Sequence, residues 1–180
     1  MTISIRAAEP NDYEGMHQIF LGPKVIWGTL QMPFPSAEMW RKRLAEPSEG
    51  TFRLVACLEQ ELVGQLDVHT FPNRPRRRHV GQIGMAVRDE FQRKGVGTAL
   101  LQAGVDLADK WLNLLRLELE VYSDHEPAVR LYKGLPLKAH WLAMPIAPDS
   151  TSMCTRWLAS NKNDLAPRHL HRAKLQDWHA

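Results

Sequence analysis

Residues 92 to 98 read Gln-Arg-Lys-Gly-Val-Gly-Thr and join a β-rich run, 79–87, to a helical pattern that begins near Gly97. At the start of a helix several backbone N–H groups lack a partner within the helix, and together with the helix dipole they attract anions. Gly95 and Gly97 allow a phosphate to approach the backbone, and the hydroxyl of Thr98 is a further donor. The stretch therefore predicts a phosphate-binding loop, with a simple glycine turn before a helix as the alternative. Its glycine spacing fits neither a Walker loop nor a Rossmann fingerprint.

The elements around this loop alternate between strands and helices. Apolar residues recur at helical spacing after the loop, which predicts a helix from about Gly97 to Leu112. Residues 115–122 alternate apolar and polar side chains, as expected for a strand with one covered face. A short helix then follows and ends near Lys133. Residues 79–133 thus predict a βαβα unit.

The N-terminal part of the chain predicts further strands and helices. Ile3–Ala7 alternates like a strand, and the β-rich runs Phe52–Leu58 and Leu62–Thr70 predict an antiparallel hairpin. Asn11 and Ser36 are candidate N-cap residues of two helices, the first of which is expected to end at the following glycine–proline pair. The whole pattern predicts an α/β (α+β) fold, a single domain with a central mixed sheet flanked by helices.

Composition excludes several classes of protein. The chain of 180 residues is 44% hydrophobic, which suits one domain whose core needs neither disulfides nor a metal. Its net charge of +3 is too small to indicate a nucleic-acid-binding protein, although it is compatible with a polyanionic small ligand. Cys57 and Cys154 form no disulfide or zinc motif. Without a signal peptide pattern or a membrane-length apolar run, we expect a cytoplasmic protein that binds no metal, nucleic acid or membrane.

Two signatures resemble the GNAT superfamily of acetyl-CoA-dependent N-acetyltransferases, in particular a bacterial branch that acts on amino acids. The first is the strand 81–87, Gly-Gln-Ile-Gly-Met-Ala-Val, followed by the loop pattern Gln/Arg-x-x-Gly-x-Gly/Ala. The second is 120–132, where a strand leads into a helix that ends in Leu-Tyr. Both occur in the family's order, and the resemblance covers about residues 3 to 133. It implies a GNAT-like fold with a splayed sheet, an acyltransferase activity and acetyl-CoA as the donor.

The resemblance also implies roles for particular residues. The strand before the loop would pair with the pantetheine arm through Met85, Ala86 and Val87. The backbone N–H groups of the loop would hold the pyrophosphate, and the loop residues are Gln92, Arg93, Lys94, Gly95, Val96, Gly97 and Thr98. Tyr132 matches a tyrosine that protonates the leaving thiolate, and a half-buried helix tyrosine is the alternative. His125 replaces an asparagine that binds the pantetheine or a backbone group in the family, and a helix-capping histidine is the alternative.

The general base is not fixed by the resemblance. Many relatives carry a glutamate on the strand before the loop, where this chain has Gln82, and an amide cannot accept the proton. Glu118 or Glu120 on the next strand, or a chain of waters, can take this role, unless both glutamates form a solvated strand face.

The basic run Arg74–Arg78 has two interpretations. It either binds the 3′-phosphate of coenzyme A or an acidic substrate, or it forms a solvated loop.

An irregular segment, 27–35, is predicted between the two N-terminal helices, either lining an apolar acceptor pocket or packing in the core. Its large apolar side chains are Trp27, Leu30, Met32 and Phe34. An apolar pocket favours a hydrophobic amino acid as the small-molecule amine acceptor.

Two alternatives to this function are kept. One is transfer to a protein N-terminus or lysine, and the other is acetyl-CoA binding without catalysis. Relatives are often dimers, so a homodimer is left open.

The sequence pattern changes after Gly134. The family expects Lys-x-x-Gly-Phe and two closing strands after Tyr132, whereas residues 134–180 show neither strand nor helix periodicity. We therefore expect a GNAT acetyltransferase domain at 1–133 and an atypical C-terminal segment at 134–180. A reading frame lost near codon 134 and a loose or partly disordered tail are both left open for this segment.

Overall fold

A computed structural model gives the fold and describes residues 2–29, 31–122, 124–134, 138–145 and 153–160. The strands are β1 Ile3–Ala7, β2 Thr51–Leu58, β3 Glu61–Thr70, β4 Val80–Val87, β5 Arg116–Tyr122, β6 Lys138–Pro145 and β7 Met153–Ser160. The α-helices are α1 Tyr13–Ile19, α2 Pro23–Gly28, α3 Ala37–Ala45, α4 Val96–Lys110 and α5 Glu126–Lys133.

The described strands form one mixed sheet with helices on both faces. The strand order is β1-β2-β3-β4-β5-β7-β6, and β4 and β5 are parallel while the other neighbours are antiparallel. One face packs against α4 and α5, where Leu100 and Leu101 are fully buried. The other packs against α1, α2 and α3, where Met16 and Ile19 are fully buried. This arrangement confirms the predicted fold class.

The sheet opens between β4 and β5. Backbone pairing between these parallel strands runs from Val80–Arg116 to Ile83–Leu119. Both strands continue beyond that point, β4 to Val87 on the side paired with β3, and β5 to Tyr122. The two strand ends therefore diverge, which leaves backbone groups of β4 without a strand partner on one side. The splayed sheet implied by the resemblance is present.

Two predictions about the N-terminal helices are wrong in detail. The pair Gly22-Pro23 begins α2, because proline needs no N–H in the first turn and the Asp89 carboxylate accepts the next two N–H groups. Asn11 is not an N-cap, since α1 is preceded by the 3-10 turn Pro10–Asp12. The expected cap of α3 is confirmed, because Ser36 Oγ accepts the N–H of Met39.

The C-terminal segment contains two strands that the sequence pattern does not predict. β6 and β7 form an antiparallel hairpin, and β7 pairs with β5 along its length. Backbone hydrogen bonding to a neighbouring strand can hold a segment in the sheet without strong apolar alternation, which is the signal that the sequence lacks here. In the part of the chain described by the structure, no helix is long and apolar enough to cross a membrane.

Candidate active site

An open cavity of about 1290 Å³ lies where β4 and β5 diverge. Its walls come from the ends of both strands, from the loop before α4, and from α2, α3 and α5. The cavity passes through the gap between the diverging ends of β4 and β5, which we call the splay. On one side of this gap it adjoins the predicted phosphate loop, and on the other it adjoins polar residues of the sheet.

The loop before α4 has the backbone geometry of an anion site. Gly95 is the N-cap of α4 and has a φ of 83°, in the left-handed region that glycine adopts without strain. The N–H of Ala99 donates to the Gly95 carbonyl oxygen at 3.0 Å, so the N–H groups of 96–98 precede the helical ladder. Gly97 packs against α5, where a Cβ would lie 3.1 Å from Cδ2 of Leu131. A larger residue at this position would fill the gap between α4 and α5.

Most of the residues predicted to hold the cofactor line the cavity. They are Met85, Ala86, Val87, Gln92, Arg93, Gly95, Gly97, Thr98 and His125. Two predicted residues do not: the Val96 side chain is buried in the core, and the Lys94 ammonium lies 4.8 Å from the Phe91 ring centroid. Their backbone N–H groups belong to the loop all the same.

Asp89 connects the phosphate loop to α2. Its carboxylate accepts hydrogen bonds from the N–H groups of Lys24 (3.0 Å) and Val25 (3.2 Å). The same carboxylate accepts a hydrogen bond from Nε2 of Gln92, whose amide also donates to the Val87 carbonyl oxygen, each at 3.2 Å. Gln92 thus braces the loop against β4 and α2 rather than pointing its amide freely into the cavity.

His125 caps α5 and contacts α2. Its Nδ1 accepts the N–H of Ala128 at 3.2 Å, which requires that nitrogen to be unprotonated. The ring stacks on Trp27 with centroids 5.7 Å apart, and Trp27 also lies 6.0 Å from the Tyr122 ring. The capping interpretation is therefore correct in geometry, and it fixes α5 at the edge of the cavity.

Tyr132 is buried and also lines the cavity. Burial raises the pKa of its hydroxyl to about 12. The hydroxyl is therefore protonated throughout the neutral range and carries a proton that it can donate in a hydrogen bond.

The candidate carboxylates of β5 have different surroundings. Glu118 is buried and ion-paired with Arg77 and Arg116, so it is committed to two guanidinium groups. Arg77 belongs to the basic run 74–78, so one residue of that run forms an ion pair with a buried carboxylate of the protein itself. Glu120 is half-buried and lines the cavity.

The residues predicted for the acceptor pocket are mostly placed elsewhere. Met32 and Phe34 are 82% and 94% exposed and do not line the cavity, and Leu30 lies outside the described residues. Trp27 is 56% exposed and packs against α5 instead. The apolar wall is formed by neighbouring side chains that the sequence did not single out, namely Phe20, Val25, Trp40, Leu44 and Leu54.

Polar residues of β2, β3 and β4 line the cavity on the opposite side of the splay from the loop before α4. Asp67 receives two hydrogen bonds from Arg53, from Nε at 2.7 Å and from Nη2 at 2.8 Å. His69 Nδ1 lies 3.0 Å from the Thr51 hydroxyl. A Cβ added to Gly84 would have no atom of a described residue within 4 Å, so the described part of the cavity is open above this residue. In the described part of the chain, no group of three or more His, Cys, Asp or Glu side chains could hold a metal ion.

Comparison with known proteins agrees with this geometry. The model of the acetyltransferase (GNAT) family matches residues 14–135. The L-amino acid N-acetyltransferase AaaT of Escherichia coli (strain K12) is 42% identical over 131 residues, which are 73% of this chain and 80% of the relative. An N-alpha-acetyltransferase of Sulfurisphaera tokodaii is 32% identical over 93 residues, 47% of this chain and 54% of that protein.

A solved structure shows the same fold. It is a GNAT superfamily phosphinothricin acetyltransferase from Sinorhizobium meliloti in complex with acetyl-CoA, with a TM-score of 0.72 and 21% identity over 88% of each chain. The family match covers more than half of the chain and includes both sequence signatures. The chain therefore belongs to the acetyltransferase (GNAT) family and is an N-acetyltransferase that moves an acetyl group to an amine.

Proposed function

We propose that the enzyme takes its acetyl group from acetyl-CoA and transfers it to the amine of a free apolar amino acid. The observation that carries the proposal is the single cavity that adjoins both the phosphate loop and the polar face of the sheet. A direct transfer needs such a space, because amine and thioester must meet at bonding distance. The name of the Escherichia coli relative supports the acceptor, and the acetyl-CoA complex of the Sinorhizobium enzyme supports the donor.

In this proposal the cofactor lies across the splay. Its pyrophosphate accepts hydrogen bonds from N–H groups of the loop 92–98, where the start of α4 favours negative charge. The pantetheine arm runs along Met85–Val87, on the edge of β4 that faces away from β3. An N–H of β4 near Ala86 or Val87 polarises the thioester carbonyl as negative charge develops on its oxygen.

The chemical step needs a base on the acceptor side. The lone pair of the neutral amine attacks the carbonyl carbon, a C–N bond forms, the C–S bond breaks, and the amine nitrogen gives up one proton. Glu120 lines the cavity and is proposed to accept that proton, directly or through a water. Glu118 is excluded from this role because two arginines hold its buried carboxylate. The alternative of a solvated glutamate face does not fit the buried Glu118.

Tyr132 is proposed to stabilise the leaving sulfur. A hydroxyl of such high pKa stays protonated, whereas a thiolate of ordinary pKa, about 8.5, is a much weaker base than the tyrosinate, so complete proton transfer is uphill. The useful interaction is a hydrogen bond from the Tyr132 hydroxyl to the sulfur, and the thiolate then takes its proton from water. This replaces full protonation by Tyr132, which the sequence resemblance implied.

The test is a direct product analysis. Purified protein is incubated with acetyl-CoA and leucine, methionine or phenylalanine, and N-acetyl product and free coenzyme A are quantified together. Equal amounts of both products above the no-enzyme rate support the proposal. Release of coenzyme A without acetylated amine would show hydrolysis instead, and stabilisation by acetyl-CoA without turnover would identify a binding protein.

A protein N-terminus is the second candidate acceptor. The N-alpha-acetyltransferase relative supports it, although the match spans about half of each chain. Peptides with different first residues, assayed beside free amino acids, distinguish the two. A peptide turned over with a higher kcat/KM than every amino acid would replace the primary proposal.

A further inference from the structure

A row of positions crosses the sheet on the acceptor side of the cavity. Arg53 of β2 pairs with Asp67 of β3, and Asp67 pairs with Gly84 of β4. Side chains at paired positions share one face of a sheet, and neighbouring strands are about 4.8 Å apart. The open space over Gly84 therefore lies about one strand spacing from the backbone of Asp67 and about two strand spacings from the backbone of Arg53. Glu120 bounds the cavity on the far side, on β5.

The Arg53 guanidinium is held rigidly at one end of this row. Its two hydrogen bonds to the Asp67 carboxylate are parallel, and both side chains are little exposed, 14% and 12%. A bidentate pair of this kind fixes the plane of the guanidinium. The pair uses Nε and Nη2, and the Nη1 group makes no hydrogen bond to a described residue. Arg53 can thus offer Nη1 to a ligand in the cavity that it lines.

Arg43 of α3 contacts the same indole ring as Arg53. The guanidinium carbons of Arg43 and Arg53 lie 5.2 Å and 5.7 Å from the ring centroid of Trp40, so one indole supports two cations. Arg43 lines the cavity and, among the residues that the structure describes, has neither an ion pair nor a hydrogen bond from its side chain. Asp67 offsets the charge of Arg53, whereas no described carboxylate forms an ion pair with Arg43, although Glu46 also lines the cavity.

Two guanidinium groups on one indole match one class of acceptor. We propose that Arg43 and Nη1 of Arg53 bind the carboxylate of the acceptor, which directs the α-amine over Gly84 toward Glu120 and the thioester. The inference rests on the proposed function and deepens it: the enzyme selects zwitterionic α-amino acids over amines that lack a carboxylate. The apolar wall of Phe20, Val25 and Leu44 remains for the amino acid side chain.

The experiment compares an apolar amino acid with its carboxamide, for example phenylalanine with phenylalaninamide. Rates are compared at equal concentrations of neutral amine, because conversion to the amide lowers the pKa of the amine. Hydrogen bonds between charged groups contribute about 1.5–3 kcal/mol, so we expect kcat/KM to favour the amino acid by about 10- to 100-fold. Equal kcat/KM values for the two acceptors would overturn the inference while leaving the acetyltransferase proposal intact.

The variant Arg43→Gln removes the cation without adding bulk. We expect kcat/KM for phenylalanine to fall about 10-fold and that for phenylalaninamide to stay within twofold. The matched control is Arg41→Gln, since Arg41 lies on the same helix, pairs with Glu38 and does not line the cavity. An equal loss for both acceptors in Arg43→Gln would assign Arg43 to packing on Trp40 and overturn the inference.

Failure of the proposed function would look different, because neither acceptor would be acetylated. In that case the carboxylate site can still be tested without turnover, by calorimetric titration of phenylalanine or phenylalaninamide into the coenzyme A-bound protein. Tighter binding of phenylalanine than of its amide, lost in Arg43→Gln, would support the carboxylate site. Equal binding of both, or binding of neither, would contradict it.

Discussion

Gly28 at the end of α2 lies against the imidazole of His125, so closely that a Cβ at position 28 would come within 2.7 Å of Nε2. The other ring nitrogen, Nδ1, accepts the N–H of Ala128, so the ring cannot turn away without losing the cap of α5. α2 is tied at its other end to Asp89, beside the phosphate loop. The short helix α2 thus joins the two sides of the proposed cofactor cleft.

The variant Gly28→Ala is therefore expected to displace His125 and weaken the cap of α5. Loss of an N-cap costs about 1 kcal/mol, and the displaced ring also alters the wall of the cleft. We expect a lower free energy of unfolding by about that amount and a several-fold higher KM for acetyl-CoA. Urea unfolding and steady-state kinetics measure the two effects.

The variant His125→Asn provides the control for Gly28→Ala. An asparagine side chain can still accept the N–H of Ala128 but leaves room beside position 28. In that background Gly28→Ala should cost little stability, so the two substitutions should be strongly non-additive. Additive losses of stability would mean that the contact with His125 is not the reason why Gly28→Ala destabilises the protein.

The phosphate loop is tested by Gly97→Glu. A carboxylate at the start of α4 repels the pyrophosphate, and its bulk meets Leu131 of α5. We expect the rise in melting temperature caused by acetyl-CoA to disappear. The exposed Gln102 lies on the same helix, and Gln102→Glu introduces the same charge away from the cavity, so it should keep the full rise. A normal rise in Gly97→Glu would place the cofactor elsewhere.

The acceptor side is tested by Gly84→Ala. A methyl group fits there without a clash among the described residues, none of which has an atom within 4 Å of its position. It projects into the proposed amine site, so KM for the amino acid should rise by about 10-fold, a loss of roughly 1.4 kcal/mol in binding. The melting temperature and the KM for acetyl-CoA should be unchanged. An unchanged KM for the acceptor would show that the amine does not bind over β4.

Tyr132→Phe separates the chemical role of the hydroxyl from its packing. If the hydroxyl stabilises the leaving sulfur, kcat should fall by about 10- to 100-fold while KM for acetyl-CoA stays within a few-fold, since the phenyl ring is kept. Turnover equal to that of the parent enzyme would exclude the hydroxyl from the mechanism.

The raised pKa of Tyr132 also predicts a pH dependence of stability. Between the ordinary tyrosine value of 10.0 and about 12, the unfolded chain loses a proton that the folded chain keeps, so the free energy of unfolding falls as pH rises. From pH 9 to pH 11 this group contributes a fall of about 1 kcal/mol. Tyr132→Phe should show a correspondingly smaller fall in urea unfolding at the two pH values. Identical falls in both proteins would argue against the burial of this hydroxyl.

The phosphate loop and the strands and helices around it are predictable from sequence because their signals are local. Gly95 sits where the left-handed backbone needs a glycine, and the apolar spacing after it predicts a helix within two residues of the ends of α4. The cleft between β4 and β5 has no local signal, and only the family resemblance implied it.

The acceptor side could not be predicted because its contacts join distant residues. Asp89 accepts the N–H of Lys24, which lies 65 positions earlier in the first turn of α2, and nothing near either residue indicates the pair. Arg53 faces Asp67 only because of a register shift at Ala56–Cys57; continuous pairing from the turn would place Arg53 opposite Leu66. The apolar side chains of Met32 and Phe34 predict a pocket in this segment, but these side chains are exposed.

The C-terminal segment carries a separate prediction. We propose that the GNAT acetyltransferase domain ends near residue 133, and the end of the family match at residue 135 supports this boundary. Under the hypothesis of a lost reading frame, resequencing the gene should reveal an insertion or deletion near codon 134. An intact frame, with the same 134–180 sequence in near relatives, would contradict it.

The most direct test of the account is thiol release from acetyl-CoA with a panel of free amino acids, small amines lacking a carboxylate, and a peptide. The account predicts release with apolar amino acids at a kcat/KM well above that for the other acceptors. Release with none of them, although acetyl-CoA raises the melting temperature, would contradict the proposed function. It would show that the cleft binds the cofactor without catalysing transfer to these amines.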